Sequence, residues 1–333
     1  MLLSSSVRPS KATLRLGSLS VRGLATHASP PVQRSTIKAL DVGPETRVIV
    51  QGLGKASTFH STLSLQLGTN IVGGVSPGKG GQSYLDRPVF NSVREAAEAL
   101  KPQATSVFVP PKLAADAIIE AIEAEIPLIV SVAEGIPLKD QMRVMAALHS
   151  QSASRLVGAN SPGLCNPAGC RMGISPLAVA NPGPVGIASR SGTLSYEASA
   201  ATKEMGQSMV LGLGGDFYPG TRTAEALEFF MEHEPTKVIV LVGEVGGVME
   251  EEAAELAISK YRRPDGSYPK PIIGFISGQT VPPGQTFGHS GAIWRDSLSS
   301  GKLKKEAFEK AGFHVVTAIA DVGEKAKSLL AGL

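Results

Sequence analysis

The stretch Arg47-Val48-Ile49-Val50-Gln51-Gly52-Leu53-Gly54 predicts the fold of the chain. A short β-branched run ends there in a glycine turn, and a polar segment with helical spacing follows it. This pattern is typical of a strand, a tight turn and a helix. The same unit recurs, with strands at 106–109 and 128–132 and helices at 112–124 and 139–149. Alternating strands and helices predict a parallel sheet that is covered by helices on both faces.

A second set of strands and helices follows a segment at 158–184 that is rich in Pro, Gly and Asn. That segment has no sustained hydrophobic period, and we place a domain boundary within it. The sequence therefore predicts two doubly wound α/β domains, at 35–162 and 163–333, whose ligands bind at the carboxyl ends of the strands. The predicted strands of the second domain lie at 185–188, 209–213, 237–242 and 272–276, and its helices at 223–232, 249–261 and 304–311.

Residues 1–34 differ in composition from the rest of the chain. They carry five Arg or Lys residues, many serines and no acidic residue. This composition is typical of a mitochondrial transit peptide, and a disordered basic tail is the alternative. We therefore expect the protein in the mitochondrial matrix. Without these five charges the formal net charge of +3 becomes −2, so the charge does not indicate a nucleic-acid partner.

Neither a membrane span nor a metal site is expected. No uninterrupted apolar run approaches the roughly 18 residues of a membrane helix, since glutamates interrupt the richest stretch, at 117–138. Cys165 and Cys170 lack the second pair of cysteine or histidine ligands that a zinc site requires, so free thiols are expected. The apolar fraction of 42% and charged fraction of 18% fit a compact globular protein.

One histidine stands between glycines in Gln285-Thr286-Phe287-Gly288-His289-Ser290-Gly291-Ala292. Flanking glycines leave an imidazole room to meet a bulky reacting group. A neutral imidazole can also attack phosphorus as a nucleophile. On its own, however, a histidine in a loop is more often a surface or packing residue, so other features have to support a catalytic role.

Two further strand ends in the second domain support phosphoryl transfer. A strand turns into a helix through Ser191 and Gly192, and the free amides of a first helical turn attract an anion. Glu244 ends another strand, where a carboxylate can orient one imidazole nitrogen and leave the other free to react. Each feature alone has a purely structural explanation. Together they predict a histidine nucleophile, an orienting carboxylate and a helix terminus that binds phosphate.

Glycine-rich turns in the first domain predict a phosphorylated ligand. Gly52-Leu53-Gly54-Lys55-Ala56-Ser57 follows the first strand, and Ser76-Pro77-Gly78-Lys79-Gly80-Gly81 follows the second. Walker A spacing is absent, and the first turn lacks the third glycine of a dinucleotide motif. Lys79 occupies the region where an NAD site has an acidic residue for ribose. A ligand other than NAD is favoured, and an NAD-dependent oxidoreductase is the weaker alternative.

Collinear motifs from about residue 37 to residue 330 resemble the alpha subunits of mitochondrial succinate–CoA ligases, also called succinyl-CoA synthetases. These motifs are T-F-H-S at 58–61, G-G-V-S-P-G-K-G-G at 73–81, P-V-F-N-S-V-R-E-A at 88–96, S-R-S-G-T-L-S-Y-E at 189–197, G-E-V-G-G at 243–247 and G-H-S-G-A-I at 288–293.

The resemblance implies a CoA-binding Rossmann-like domain followed by a flavodoxin-like ligase domain. It implies that succinyl-CoA, phosphate and a nucleoside diphosphate are interconverted with succinate, CoA and the triphosphate in the citric acid cycle. His289 would carry the phosphoryl group, with Glu244 bound to it and with Ser191 and Gly192 at the facing helix. A beta subunit would form the heterodimer and bind ATP or GTP with Mg²⁺. By position, Tyr196 matches a substrate contact, and the CoA contacts match Gly54, Lys55, Ala56, Lys79, Val132, Ala133 and Glu134.

The chain departs from the family pattern at two loops. The first CoA-phosphate loop is one residue shorter than usual and has Ser57 where a glycine is usual. Near the histidine, 285–287 replaces basic residues and 294–297 replaces a glycine-rich stretch. The alternative to a catalytic subunit is therefore a noncatalytic or altered-specificity paralogue that binds CoA or the beta subunit and regulates the ligase.

Overall fold

The computed structural model describes residues 36–282, 284–294 and 300–333. The basic leader predicted at 1–34 lies outside the described residues. Within the described part, the strands form two seven-stranded sheets. No helix in these ranges has both the length and the apolar character needed to cross a membrane.

The first sheet has the strand order of a Rossmann-like domain. The order is β3-β4-β2-β1-β5-β6-β7, and every neighbouring pair is parallel except β3 with β4. The order reverses between β1 and β5, which opens a crevice at their carboxyl ends. The strands are β1 (Val48–Gln51), β2 (Ile71–Val75), β3 (Ser83–Tyr84), β4 (Arg87–Phe90), β5 (Ala104–Val107), β6 (Leu128–Ser131) and β7 (Arg155–Val157).

The second sheet contains a flavodoxin-like arrangement. Its order is β14-β13-β12-β10-β11-β8-β9, in which β11, β10, β12, β13 and β14 are parallel and reverse direction of growth between β10 and β12. An antiparallel hairpin of β8 and β9 extends the sheet beyond β11. The strands are β8 (Gly163–Asn166), β9 (Cys170–Gly173), β10 (Pro182–Ser189), β11 (Gln207–Gly212), β12 (Val238–Glu244), β13 (Ile272–Ser277) and β14 (His314–Val315).

Helices cover both sheets, and the central strands are buried. Every residue of β1, β5, β6 and β12 is buried, as expected for parallel strands that have helices on both faces. The helices are α1 (Lys55–Leu67), α2 (Val93–Leu100), α3 (Pro111–Glu123), α4 (Leu138–His149), α5 (Gly192–Ala201), α6 (Thr223–Glu232), α7 (Met249–Leu256), α8 (Gly301–Ala311) and α9 (Asp321–Leu330).

The predicted α/β architecture is confirmed, with local differences. Helix α6 has the predicted bounds, and β5 begins two residues before the strand predicted at 106–109. The helix predicted at 249–261 consists of two parts, the α-helix α7 up to Leu256 and a π-helix over Ala257–Tyr261. The hairpin of β8 and β9 was missed, because its short strands lie in a glycine- and proline-rich segment without an alternating pattern.

Buried arginines join the two sheets. Arg155 of β7 forms an ion pair with Glu225 of α6 at 3.0 Å, and its side chain also donates to Thr221 and Thr36. Arg171 of β9 donates to the carbonyl oxygen of His60 in α1 at 2.9 Å. These contacts hold the second sheet against helices and strands of the first, so functional groups of both domains can reach a common region.

Candidate active site

The predicted histidine and carboxylate meet where the second sheet reverses direction. Glu244 is the last residue of β12, and its Oε2 lies 2.7 Å from Nδ1 of His289. His289 lies in a narrow loop in which Phe287 N donates to Ala292 O and Ala292 N donates to His289 O, both at 3.1 Å. Because Nδ1 faces the carboxylate, Nε2 on the opposite side of the ring is the nitrogen that is oriented to react.

A buried arginine completes this arrangement. Arg190 follows β10, and its Nη2 lies 3.3 Å from Glu244 Oε1, the oxygen that does not face the histidine. The hydrogen bond that His289 donates to Glu244 raises the pKa of the imidazole above its ordinary value, while burial and the charge of Arg190 oppose that rise. The neutral ring therefore keeps its proton on Nδ1, and the lone pair remains on Nε2.

The helix terminus predicted to bind phosphate lies beside the carboxylate. Ser189 of β10 is paired with Val242 of β12, so Ser191 and Glu244 each follow that pair by two residues on neighbouring strands. Ser191 is the N-cap of α5, and its Oγ accepts a hydrogen bond from Leu194 N at 3.4 Å. Gly192 begins the helix, so its free amides and partial positive charge lie at the carboxyl end of β10, where the second sheet reverses.

Sequence reasoning missed Gly215 and Asp216, which follow β11 and support the histidine loop. A Cβ on Gly215 would overlap the imidazole of His289, so only glycine allows the ring to pack there. Asp216 is 2% exposed and accepts a hydrogen bond from Ser290 Oγ at 3.3 Å. Burial raises the pKa of Asp216, and hydrogen bonds from Asn160 and Ser290 oppose the rise. The signal in the sequence was a run of glycines and one aspartate after a buried strand.

A second missed cluster holds the turn after β12. Glu250 is fully buried, and its Oε1 accepts a hydrogen bond from Glu244 N at 3.3 Å. Lys304 of α8 is also fully buried and contacts Glu250, Glu251 and the carbonyl oxygen of Gly247. Burial would raise the pKa of Glu250, but the charges of Lys304 and Arg190 hold it below its ordinary value. These opposite charges hold the backbone that carries Glu244.

Tyr196 lies on α5, one turn beyond the helix start. Burial raises the pKa of its hydroxyl, and the nearby positive charge of Arg171 opposes that rise. Arg171 itself contacts α1 of the first domain, through the carbonyl oxygen of His60. The predicted substrate residue is thus partly buried and lies within electrostatic range of Arg171.

The predicted CoA residues lie at the carboxyl ends of three strands of the first sheet. Gly54 is the N-cap of α1, and Lys55 and Ala56 form its exposed first turn. Lys79 is exposed in the turn after β2. The residues 132–134 follow β6. Backbone amides and the exposed side chains of Lys55 and Lys79 thus lie along the carboxyl edge of the first sheet. This arrangement suits an extended phosphorylated ligand.

Two local contacts explain the shape of the first phosphate loop. Gly52 has a φ of +85°, and a Cβ there would lie 2.9 Å from the carbonyl oxygen of Phe108, so the tight turn requires glycine. Ser57, which stands where the family usually has glycine, is buried and donates from Oγ to Gly54 O at 2.9 Å. Its hydroxyl therefore stabilises the first turn of α1 and does not point into the crevice.

Glu134 makes a small electrostatic contribution at the other predicted site. It follows β6 in the first domain, yet its negative charge raises the pKa of both His289 and Asp216. The charge of one residue predicted to contact CoA therefore acts on the residues around His289. Within the described ranges, no group of three or more His, Cys, Asp or Glu side chains could hold a metal ion.

Comparisons with known proteins agree with this geometry. The family model for the CoA binding domain matches residues 44–135, and the model for CoA-ligase matches residues 188–314. The succinate–CoA ligase [ADP-forming] alpha subunit of Aquifex aeolicus is 41% identical over 296 residues, which cover 88% of this chain and 95% of that protein. The chain belongs to the succinate–CoA ligase alpha-subunit family. CoA binding, predicted from the first domain, is confirmed at the level of that domain.

The match to further succinate–CoA ligase alpha subunits also covers nearly the whole length of those proteins. An Archaeoglobus fulgidus alpha subunit is 41% identical over 295 residues, with 88% of this chain and 100% of that protein covered. The Staphylococcus aureus subunit is 39% identical over 285 residues, with 85% and 92% covered. The predicted mitochondrial matrix location is wrong, because these relatives come from bacteria and archaea, which have no mitochondria. The transit peptide expected at 1–34 loses its support for the same reason.

Solved structures share the fold of this succinate–CoA ligase subunit. ATP citrate lyase of Methanosaeta concilii, in complex with (3S)-citryl-CoA, matches with a TM-score of 0.78 and 22% identity over 89% of this chain, which spans 51% of the lyase chain. The dinucleotide-forming acetyl-coenzyme A synthetase 1 of Ca. Korarchaeum cryptofilum, in complex with phosphate and ADP, matches with a TM-score of 0.68 and 20% identity over 86% of this chain and 61% of its own.

Proposed function

We propose that this chain is the catalytic alpha subunit of a succinate–CoA ligase and that His289 carries the phosphoryl group on Nε2. The observation that carries the proposal is the 2.7 Å contact between His289 Nδ1 and Glu244 Oε2, which leaves Nε2 facing away from the carboxylate. A ring held in this way by one nitrogen is a nucleophile for phosphorus through the other. No observation favours the noncatalytic alternative, since nucleophile and carboxylate are both in position.

The reaction proceeds in three transfers. Phosphate attacks the thioester carbonyl of succinyl-CoA, the carbon–sulfur bond breaks, and CoA leaves as succinyl phosphate forms. Nε2 of His289 then attacks phosphorus, and the bond between phosphorus and the acyl oxygen breaks to release succinate. Finally, a terminal phosphate oxygen of a nucleoside diphosphate attacks phosphorus and the nitrogen–phosphorus bond breaks. The triphosphate is released, and the histidine ring becomes neutral again.

The surrounding residues stabilise the charges that form in these steps. When Nε2 bonds to phosphorus, the ring becomes cationic because Nδ1 keeps its proton, and the Glu244 carboxylate stabilises this cation. The free amides at the start of α5, around Ser191 and Gly192, stabilise the equatorial oxygens of the moving phosphoryl group. Arg190 pairs with the buried Glu244 carboxylate through Nη2, 3.3 Å from Oε1, and so supplies a positive charge beside it.

The first domain binds CoA at three strand ends. The amides of Gly54 and Ala56 and the charges of Lys55 and Lys79 bind its phosphates, and Val132, Ala133 and Glu134 contact the part of CoA that enters the ligase domain. Tyr196 contacts the acyl substrate at the junction. We assign 35–162 to the CoA-binding domain and 163–333 to the ligase domain, in agreement with where the two sheets lie.

A beta subunit binds the nucleotide with Mg²⁺ and forms a heterodimer with this chain. The names of the relatives specify ADP-forming enzymes, which favours ADP over GDP as the acceptor. We assign the ion to the beta subunit because Mg²⁺ is bound largely through the phosphates of the nucleotide.

Labelling of the histidine tests the proposal. The full chain, produced together with a beta subunit, is incubated with γ-labelled ATP or GTP. We expect acid-labile label that succinate and CoA discharge, loss of the label in His289→Ala, and retention in the control His314→Ala, which changes an exposed histidine. A well-formed heterodimer that takes no label, or label that persists in His289→Ala, would contradict the proposal.

A further inference from the structure

Three backbone hydrogen bonds connect the predicted CoA segment to the histidine loop. Asn160 N donates to Ala133 O at 2.9 Å, and Gly215 N donates to Asn160 O at 3.0 Å. Gly291 N, two residues beyond His289, then donates to Gly215 O at 3.0 Å. The chain of contacts begins in the loop after β6 and ends in the catalytic loop. A displacement at either end therefore has a direct path to the other.

The Asp216 side chain contacts residues near both ends of this series of hydrogen bonds. Its Oδ1 accepts from Ser290 Oγ at 3.3 Å, on the histidine side. Its Oδ2 accepts from Gln141 Nε2 at 3.2 Å, on the side of α4 and the first domain. Gln141 Nε2 also donates to Ile136 O at 2.9 Å, in the segment that follows the CoA residues. One buried carboxylate thus holds both domains at the site.

The histidine ring rests on this connecting segment. Gly215 contacts the imidazole closely enough that a Cβ would overlap it, and Gly291 packs against the carbonyl oxygens of Gly215 and Asp216. The charge of Glu134 also acts on both Asp216 and His289. A change in the segment 214–216 therefore changes the position of the ring.

We propose that Asp216 is a positioning residue that couples CoA occupancy at 132–134 to the docking of His289 on Glu244. When CoA contacts that segment, its restraint passes through Asn160 and Gly215 to Gly291, and the histidine loop is held in its docked position. Without CoA the loop opens more often. Such coupling is reciprocal, so docking of the loop also strengthens CoA binding. The inference rests on the proposed function, since it requires CoA at this segment.

Amide hydrogen exchange of the loop 284–294 tests the coupling in the complete complex with the beta subunit. We expect saturating CoA to slow exchange at Gly291 and Ala292 by at least about fivefold in the wild type, the lower end of typical coupling between sites. In Asp216→Asn, which keeps the shape but removes the charge, CoA should change exchange less than about twofold. The matched control Asp265→Asn, in an exposed turn, should behave like the wild type.

A second variant covers the case in which Asp216→Asn does not fold. Ser290→Ala removes only the contact on the histidine side and changes an exposed residue. It should retain CoA binding and lose most of the CoA effect on exchange. If CoA slows exchange equally in the wild type and in both variants, the proposal is overturned. It is also overturned if the wild-type protein does not bind CoA, or if its loop 284–294 does not respond to CoA.

Kinetics separate this proposal from the proposed function and from a purely structural role. Asp216→Asn should lower kcat for the CoA-dependent direction about tenfold while phosphorylation by ATP without CoA changes less than about twofold. Equal loss in both reactions would indicate a structural role and overturn the coupling. A wild type without phosphohistidine but with CoA-dependent protection of the loop would overturn only the catalytic proposal.

Discussion

The predicted sites of the two domains consist of different kinds of groups. In the first domain the crevice between β1 and β5 is bordered by backbone amides and by exposed residues such as Lys55 and Lys79. In the second domain the reversal between β10 and β12 brings together the buried side chains of Arg190 and Glu244 beside His289. A long, flexible ligand needs many adaptable contacts, whereas bond transfer needs a few groups held rigidly in place.

The difference extends to the residues beneath each site. Under the second site, Glu250 and Lys304 form a fully buried pair that holds the turn after Glu244. Under the first site, the loop that contains Lys79 is shaped by Asn91, whose Oδ1 accepts from Gly78 N at 3.0 Å and from Gly80 N at 2.9 Å. Substitutions should therefore have large effects in the second domain and small, salt-dependent effects in the first.

The largest effect is expected for Glu244→Gln. The amide cannot stabilise the cationic phosphohistidine, so the rate of histidine phosphorylation should fall roughly 10²–10⁴-fold. Because Glu244 raises the pKa of His289, removing its charge lowers that pKa. The neutral nucleophile then persists to lower pH, and the acid limb of the pH–rate profile should move to lower pH. Rapid-quench phosphorylation across pH measures both effects, and an acid limb that does not move would refute this role of the carboxylate.

Lys304→Met should cause the next largest effect, on stability. It leaves the fully buried Glu250 without its positive partner, which should lower the free energy of unfolding by about 3–5 kcal/mol. The pKa of Glu250 is held below its ordinary value of 4.5, so the stabilisation is present above that pH and is lost as the pH falls through the lower folded-state pKa.

Urea denaturation measures this effect, with Lys79→Met as the control in the other domain. Because Lys79 is exposed, that substitution should change stability by less than about 0.5 kcal/mol. Similar losses in the two variants would show that the two sites do not differ in their dependence on buried charge.

A pair of glycine substitutions sharpens the comparison further. Gly215→Ala pushes the His289 ring from its position, so histidine phosphorylation should fall about 100-fold. Gly54→Ala adds a methyl group where no atom lies within 4 Å, and its extended backbone suits any residue. The KM for CoA should then change less than about threefold, because the amide donor is retained. Steady-state kinetics of both variants would contradict this account if Gly54→Ala proved the more damaging.

Lys55→Ala should have the smallest effect. An exposed lysine contributes a screened charge, so the KM for CoA should rise by no more than about fivefold at low salt and by less as salt increases. Lys203→Ala, which removes an exposed lysine from the other domain, should leave KM unchanged. A salt-independent rise in Lys55→Ala would indicate a directional contact that the exposed position does not suggest.

The sequence indicated the candidate site residues at strand ends more readily than the residues that contact them. His289, Glu244 and Ser191 could be found because glycines and helix starts mark them after apolar runs. The roles of Asp216 and Lys304 could not, because each depends on a partner more than 50 residues away in sequence, Ser290 and Glu250 respectively. Local patterns record which strand a residue follows, but not which distant carboxylate or lysine it meets.

The same reason explains what was missed in the fold. The alternation of strands and helices is a local pattern, and two doubly wound sheets were predicted from it. The hairpin of β8 and β9 is stabilised by pairing with β11 and by Arg171, whose partners include His60 and Ser64 of α1. Tertiary contacts therefore make strands of residues whose own composition favours a loop.

The position of phosphorylation on the histidine ring tests the central claim most directly. The heterodimer is phosphorylated with ATP, and two-dimensional NMR of the phosphohistidine identifies the modified nitrogen. Because Nδ1 of His289 is bound to Glu244, we predict that phosphorus is attached to Nε2 of His289. Phosphate on Nδ1, or on a residue other than His289, would contradict the account.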